Sequence, residues 1–494
     1  MISKFLGMVV VFAWAASAGA QTIVPPRTGA LLLGDRANNN VLYIKDLNLD
    51  RDYADPGEIF TWYAGLNGIV PTTLQDLAVG SDGTIYLSDS GTDTILALVD
   101  GDPTVFPPSL PNGNADDPGE SRVYFSNSGA LGTIFAGPGG ICVTQGTTAD
   151  VLWIPNSSNG ALAFDRLLRC EDLNGDGDAL DVGEAVVWWE KTTSIVNGGP
   201  DLDNPNAVIV DPYGQVLLVH GSGNGATRGV YRLLDLGGTP GANDPGEVNL
   251  YYPFPNFGTT TPSPFVFCAQ ASRNGDLYFA DRGTPDTLYA LRDLNLDGDA
   301  TDPGEATPYY SPTGSSLVDN LVEYVEYDGT TVILLAEDQT PDRLIRLLDI
   351  DGSGTINLPI EVSTVYDDTL PGVYSIGQPK AIEAMPAPFL SGPNQIVPGQ
   401  QLTFTHASVR GHTLVMAFDL VSYPQIFAPY GLLELSPFAQ VFLPFDIVPA
   451  SGTYTFTTAT PAVSALSGLV VYIQSADFDG ISGSLSNLYT VTFL

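Results

Sequence analysis

Positive charge is scarce in this chain: 494 residues carry 18 lysines and arginines against 56 aspartates and glutamates, with three histidines, for a formal charge of -38. Such a surface repels phosphate backbones and anionic lipid, which excludes nucleic acid and acidic membranes as general partners. Cysteine is scarce too. Cys142, Cys170 and Cys268 are too few and too far apart for a disulfide framework or a zinc site; they read as small buried apolar groups, with one bridged pair left open. Beyond the N-terminus no run approaches the ~18 apolar residues that argue for a membrane helix, so no membrane span is expected. His220, His406 and His412 fall into no Ser/His/Asp or Cys/His spacing, and no GxSxG elbow occurs.

What is present begins with a secretory pattern. Lys4, an apolar run from Met8 to Ala16 and the small residues Ala18-Gly19-Ala20 read as a signal peptide over residues 1–20, cleaved after Ala20, which predicts a secreted or cell-surface protein. The remaining composition, 44% hydrophobic with 53 glycines and 38 prolines, describes a folded, turn-rich acidic protein.

One acidic pattern occurs three times at the same offsets. Asp46, Asn48, Asp50, Asp52, Asp55 and Glu58 stand at offsets 0, 2, 4, 6, 9 and 12; Asp172, Asn174, Asp176, Asp178, Asp181 and Glu184 repeat them, as do Asp293, Asn295, Asp297, Asp299, Asp302 and Glu305. Calcium takes about 6–8 oxygen ligands at roughly 2.3–2.6 Å, which suits such a loop; magnesium, with its waters and octahedral demands, suits it less. Unfilled, the carboxylates would repel by roughly 1 kcal/mol per pair at ~4 Å even in water. These residues are therefore expected to bind Ca2+ and, being committed as ligands, to serve structure rather than acid-base chemistry.

The loops sit inside a longer repeat. An apolar strand, a turn ending in Gly, a second strand and a fixed polar residue recur: Gly29 leads to Asp35, Gly83 to Asp89, Gly214 to His220 and Gly275 to Asp281, with looser copies ending at Asn156 and Glu337. A third strand then runs into the acidic loop or a partial copy of it, such as Asp235, Asp244 and Glu247, or Asp349, Asp351, Ser353 and Glu361, and a fourth strand follows. Four antiparallel strands per unit, repeated six times, predict an all-β six-bladed β-propeller over residues 21–385. The first unit lacks its innermost strand, and an extra strand near Gln378 to Glu383 is expected to complete it and close the ring. Past a proline-rich linker at 385–388, residues 389–494 show alternating runs with few charges and read as a small C-terminal β-sandwich.

The stretch from Asp76 through Gly83 and Asp89 to Gly91 resembles an NHL-type repeat, echoed more weakly at Ala207 to His220 and Cys268 to Asp281. The acidic loop resembles EF-hand and dockerin calcium loops, with Gly177 and Gly298 at the sharp turn, but with Arg51 there in the first loop and the closing Glu at offset 12 rather than 11. The NHL resemblance implies a propeller but leaves function open, since such propellers include scaffolds, lyases and metal-dependent lactonase-like enzymes with a central-channel cation. Candidate ligand-binding residues on inner strands or strand ends are Gln75, Asp76, Asn206, His220 and Asn320. The leading expectation is a secreted calcium-binding propeller that acts as a ligand-binding or surface-interaction protein toward an extracellular glycan, protein or other ligand. The alternative is a metal-dependent hydrolase or lyase of the lactonase-like class with its site in the channel.

Overall fold

The computed structural model describes residues 30–494 except for short segments, the longest being 101–113, 158–164 and 255–265. The expected signal peptide lies outside the described residues. The chain divides into two compact units, one covering Pro25–Met385 and one whose described residues fall in Pro386–Leu494.

The first unit is all-β apart from short helical turns and contains six four-stranded antiparallel sheets. The first sheet pairs Pro379–Ala384, Leu31–Asp35, Asn40–Ile44 and Ile59–Tyr63 in that order. Leu31 lies opposite Ala384 and Leu33 opposite Ile382, so a strand from the end of the unit completes the sheet at its beginning. The inner strands of the second to sixth sheets are Leu74–Val79, Cys142–Gln145, Ala207–Val210, Val266–Ala271 and Val318–Val325. Inner strands touch one another in cyclic order, and Val318–Val325 touches Pro379–Ala384. This arrangement of four-stranded sheets fits a β-propeller.

Strand alternation explains how it holds together. Successive side chains point to opposite faces, and in Thr94–Leu98 Ile95 and Ala97 enter the core shared with the third sheet while Leu96 and Leu98 enter the core shared with the first. Both faces are thus buried, which is why the middle strands read as near-continuous apolar runs. Every neighbouring pair of sheets shares one such apolar core, including the sixth with the first. In all six sheets the third and fourth strands shift register once, a bulge that raises the local twist of the outer edge.

The repeated polar residue ends the second strand in each sheet and is buried wherever its side chain is described. Asp89 accepts from the N–H groups of Thr73 (2.7 Å) and Thr72 (3.0 Å), just before the inner strand, and from Gly91 (3.0 Å) in the following turn. Asp35 does the same for Gly377 (2.9 Å), Gln378 (3.0 Å) and Ala37 (3.1 Å). Asn156 accepts from Ala136 (2.6 Å), and Glu337 receives the Arg343 guanidinium (2.7 Å). Asp35, Asp89 and Asn156 thus fasten the lead-in of the inner strand to the end of the second, whereas Glu337 holds the start of the third. The side chain of Asp281 lies outside the described residues.

In the second unit, Phe389–Ser391, Gln401–Ala407 and Thr453–Ala459 form one sheet. A larger sheet contains Thr413–Asp419, Gln440–Ile447, Val470–Phe478 and Tyr489–Phe493. Leu402, Phe404 and Phe456 from the one and Met416, Ile473 and Val491 from the other meet in a single apolar core. The three cysteines of the chain are free thiols, and burial pushes Cys142 and Cys268 up to about 12.

Candidate metal loops and channel cluster

Each complete acidic loop joins the third strand of its sheet to the fourth, and all three fold alike. The offset-0 aspartate accepts from the offset-5 N–H: Asp46 from Arg51 (2.8 Å), Asp172 from Gly177 (2.8 Å), Asp293 from Gly298 (2.9 Å). That offset-5 residue has positive φ in every case (Arg51 74°, Gly177 93°, Gly298 94°). Glycine meets this demand without strain, whereas Arg51 adopts a backbone that a β-carbon disfavours. The offset-2 asparagine sends its amide N–H between two carboxylates: Asn48 to Asp50 (2.9 Å) and Asp55 (2.5 Å), Asn174 to Asp176 (3.2 Å) and Asp181 (2.8 Å), Asn295 to Asp297 (3.1 Å) and Asp302 (2.6 Å). Asp52, Asp178 and Asp299 each accept from the N–H two residues on, at 2.9 Å.

The closing glutamate is the buried end of the loop. Glu58 accepts from Leu47 (2.8 Å) with one oxygen and Asp55 (3.1 Å) with the other; Glu184 and Glu305 hold Leu173 and Asp181, and Leu294 and Asp302, in the same way. Burial, aided by Asp46 and Asp55, pushes the Glu58 carboxyl up to about 7 in spite of those bonds. The same glutamate occurs in the partial loops as Glu120, Glu247 and Glu361, all buried. It is therefore a backbone clamp common to all six sheets, on which three sheets build a complete acid set. For a metal the donor set is suitable: Asp176, Asp178 and Glu184 bring one carboxylate oxygen each within 4.8 Å of one another, a spread that one calcium spans. Asp349, Asp351 and Glu361 of the sixth sheet make a second such group.

Sequence reasoning missed what the loops hold together. Five residues before its closing glutamate each loop donates an N–H to a carbonyl on the outer strand of the preceding sheet: Tyr53 to Val365, Ala115 to Trp62, Ala179 to Tyr124, Ala242 to Trp188, Ala300 to Tyr251 (2.8 Å each) and Ile356 to Tyr309 (2.7 Å). The loops thus bridge the seams between sheets as well as closing their own hairpins. Four of these positions are alanine with no exposed surface, small enough to let two backbones approach. That repeated alanine was the available signal.

Of the channel candidates, the structure brings two together. Asp76 accepts from the Asn320 amide (3.0 Å) and from Ile141 N–H (2.9 Å), and the same Asn320 amide reaches the Lys380 carbonyl (3.2 Å). Two residues that sequence reasoning passed over join them. Glu383 lies near Asp76, and burial together with that neighbouring charge pushes its carboxyl up to about 8; burial likewise lifts Asp76 to about 7 against its hydrogen bonds. Lys380, on the same strand as Glu383, places its ammonium 3.3 Å from buried Asp319. Asn206 contributes its carbonyl to Gly140 N–H (2.7 Å), next to the Ile141 that binds Asp76. Gln75 turns instead to Ser90 (2.6 Å). His220 is not part of this group: it is fully buried at its strand end, both ring nitrogens lack a partner among the described residues, and burial with the charge of Arg228 holds it down at about 4.

The second unit has its own polar cluster. His412 Nδ1 lies 3.1 Å from Asp477 Oδ2, the Ser408 hydroxyl donates to the same oxygen, and His406 Nδ1 meets Ser475 Oγ at 2.9 Å. Serine and histidine both address the aspartate rather than each other, so this is not a nucleophile-base relay.

Among the described residues no helix is long and apolar enough to cross a membrane. No protein-family profile matches the chain, and no curated protein matches it. Solved structures similar to it include a structural-genomics protein provisionally assigned as a gluconolactonase, 12% identical over 65% of this chain and 94% of that one with a TM-score of 0.34. PorZ of Porphyromonas gingivalis, a bacterial surface component of the type-IX secretion system, is 14% identical over 97% of this chain and 57% of its own length, with a TM-score of 0.36. The N-terminal domain of the Streptococcus gordonii adhesin Sgo0707 is 11% identical over 85% of this chain and 94% of that domain, with a TM-score of 0.15.

Proposed function

We propose that this is a secreted, calcium-stabilised six-bladed β-propeller, joined to a C-terminal β-sandwich, that works as a ligand-binding or surface-interaction scaffold. The observation that carries the reading is the identical fold of three loops with complete acid sets, at 46–58, 172–184 and 293–305, each hydrogen-bonded across a seam to the preceding sheet. Calcium in such a loop neutralises carboxylates that otherwise repel. Because each loop spans a seam, the ion would stabilise contact between sheets as well as one hairpin. A metal that binds only the folded state adds about 4 kcal/mol per site at a thousandfold excess over Kd.

The test is calcium titration by calorimetry combined with thermal unfolding. The expected result is three tight sites and a propeller transition that falls sharply with excess chelator while the sandwich transition stays put. An unfolding profile indifferent to chelator would remove the metal from the reading.

A second reading, hydrolase or lyase, draws support from Asp76 and Glu383, two inner-strand carboxyls that titrate near neutrality, at about 7 and about 8, and so suit acid-base work. Of the expected candidates Asp76 and Asn320 contact each other, and Lys380 is engaged by Asp319. Turnover of lactones that is lost on Asp76→Asn with the melting temperature retained would favour this reading; no turnover with metal supplied would end it.

A further inference from the structure

Three positions before the first aspartate of each loop, the third strand carries a residue that faces the following sheet, and its cross-strand partner faces the same way. In sheet order these pairs are Tyr43–Phe60, Ala97–Arg122, Arg169–Val186, Arg232–Asn249, Ala290–Thr307 and Arg346–Ser363. Four of the six supply an arginine. Two of these lie against the acidic loop of the next sheet: a β-carbon on Gly177 would strike the Arg122 guanidinium, and one on Gly298 would strike that of Arg232. Between the sixth and first sheets Arg346 pairs with Glu326 (2.7 Å), and Glu326 in turn faces Arg51, the offset-5 residue of the first loop, at 3.7 Å. A guanidinium on the offset-5 position is thus a recurring way of filling a seam.

The seam between the fifth and sixth sheets has no such arginine. Its pair is Ala290 and Thr307, both too short to cross, and a β-carbon on the offset-5 residue Gly354 would meet nothing within 4 Å. A cleft of about 270 Å³ opens there, bounded by Ala290, Thr307 and Gly354, by Tyr278 and Tyr309, and by the Asp349 carboxylate. Arg292 also borders it, but its guanidinium is held by both oxygens of Asp276.

We propose that this cleft receives an arginine side chain from a partner polypeptide. A planar, weakly hydrated guanidinium suits a cleft lined by two tyrosines and a carboxylate, and the compact, strongly hydrated ammonium of lysine suits it less. The charge of -38 favours encounter with a basic partner. The inference rests on the scaffold reading above but not on the metal. Asp349 also belongs to the Asp349, Asp351 and Glu361 group, so a cation in the sixth loop would compete for it.

The test uses the peptide acetyl-Gly-Arg-Gly-amide, titrated into the full chain in chelator and followed by NMR shift perturbation, with acetyl-Gly-Lys-Gly-amide as control. Saturable binding with a Kd on the order of 1 mM is expected, about tenfold tighter than for the lysine peptide. Ala290→Arg should abolish it by supplying the missing guanidinium from within. Should that variant fold poorly, Thr307→Arg serves the same purpose, because Arg122 already occupies the corresponding outer-strand position in the second sheet. Absence of saturable binding, equal binding of both peptides, or binding that survives in a folded arginine variant each overturns the proposal. Calcium-independent melting would remove the metal reading and leave this one standing.

Discussion

The two units of this chain satisfy their buried polar groups in opposite ways. In the first, one solution is copied around the sheets: a buried glutamate clamps two loop N–H groups in Glu58, Glu184, Glu247, Glu305 and Glu361, Glu120 clamps that of Asp117, and the N–H five residues before the glutamate reaches the neighbouring sheet each time. In the second, each solution is unique, with Asp477 holding His412 and Ser408, His406 holding Ser475, and the Gln474 amide donating to the Ser486 carbonyl. Copying makes the first unit tolerant of partial decay, because a loop that has lost its acid set keeps its clamp and its seam bond. A unique network has no such reserve.

The sharpest way to break this comparison is to separate ligand from clamp within the first unit. Asp176→Ala dismantles a complete acid set, whereas Asp244→Ala acts on a loop that retains only Asp235, Asp244 and Glu247. In saturating calcium the former should cost up to about 4 kcal/mol, the value of one occupied site at a thousandfold excess, and the latter a few tenths. With chelator the two should converge. Equal losses in calcium would mean that acid count does not rank the loops.

Next in size is the clamp itself. Glu247 accepts from Leu236 (2.9 Å) and Asp244 (2.7 Å) in a loop without the full set. Glu247→Ala leaves two part-buried N–H groups without their acceptor, a loss of about 1–3 kcal/mol, and chelator should not change it. If the loss disappears in chelator, the glutamate acts through the metal and the division between clamp and ligand fails.

Much of this was legible in the residues, because identical offsets in Asp46–Glu58, Asp172–Glu184 and Asp293–Glu305 fix both the loop and its place between strands. The strand that completes the first sheet was also readable, since Leu31–Asp35 had no upstream partner; the structure adds one residue of shift, Pro379–Ala384. What stayed hidden depends on contacts between distant segments. Nothing in the residue pattern tells that Ala179 faces the Tyr124 carbonyl, that Asp76 and Asn320 meet across 244 positions, or that His412 and Asp477 meet across 65. Glu383 was visible only as part of an edge strand, because its unusual protonation follows from burial beside Asp76.

The smallest effect tests the two units through pH. Glu383 and Asp76 titrate near 8 and 7 in the fold, above their unfolded values, so the unfolded chain ionises first as pH rises. Their contribution is complete below about pH 4 and is lost as pH climbs through 7 and 8. His406 is displaced the other way, held at about 4 by burial, and the unfolded histidine takes up its proton first as pH falls. The contribution of His406 is complete above about 6.5 and drains away toward 4. Asp477 adds to that acid sensitivity, since the bonds from His412 and Ser408 outweigh its burial and keep its carboxyl below the usual range. A tenfold change in proton affinity is worth about 1.4 kcal/mol before the discount that solvent imposes on Glu383 and Asp76, both part-exposed. Calorimetry in chelator should therefore show the first unit's transition dropping as pH rises from about 4 to 8 and the second unit's as pH falls from about 6.5 to 4. Glu383→Gln should flatten the alkaline limb and leave the acid limb untouched. Transitions that move together in the unmodified chain and in Glu383→Gln would mean that the polar groups of the two units are not independent, and the contrast between copied and unique networks would lose its thermodynamic content.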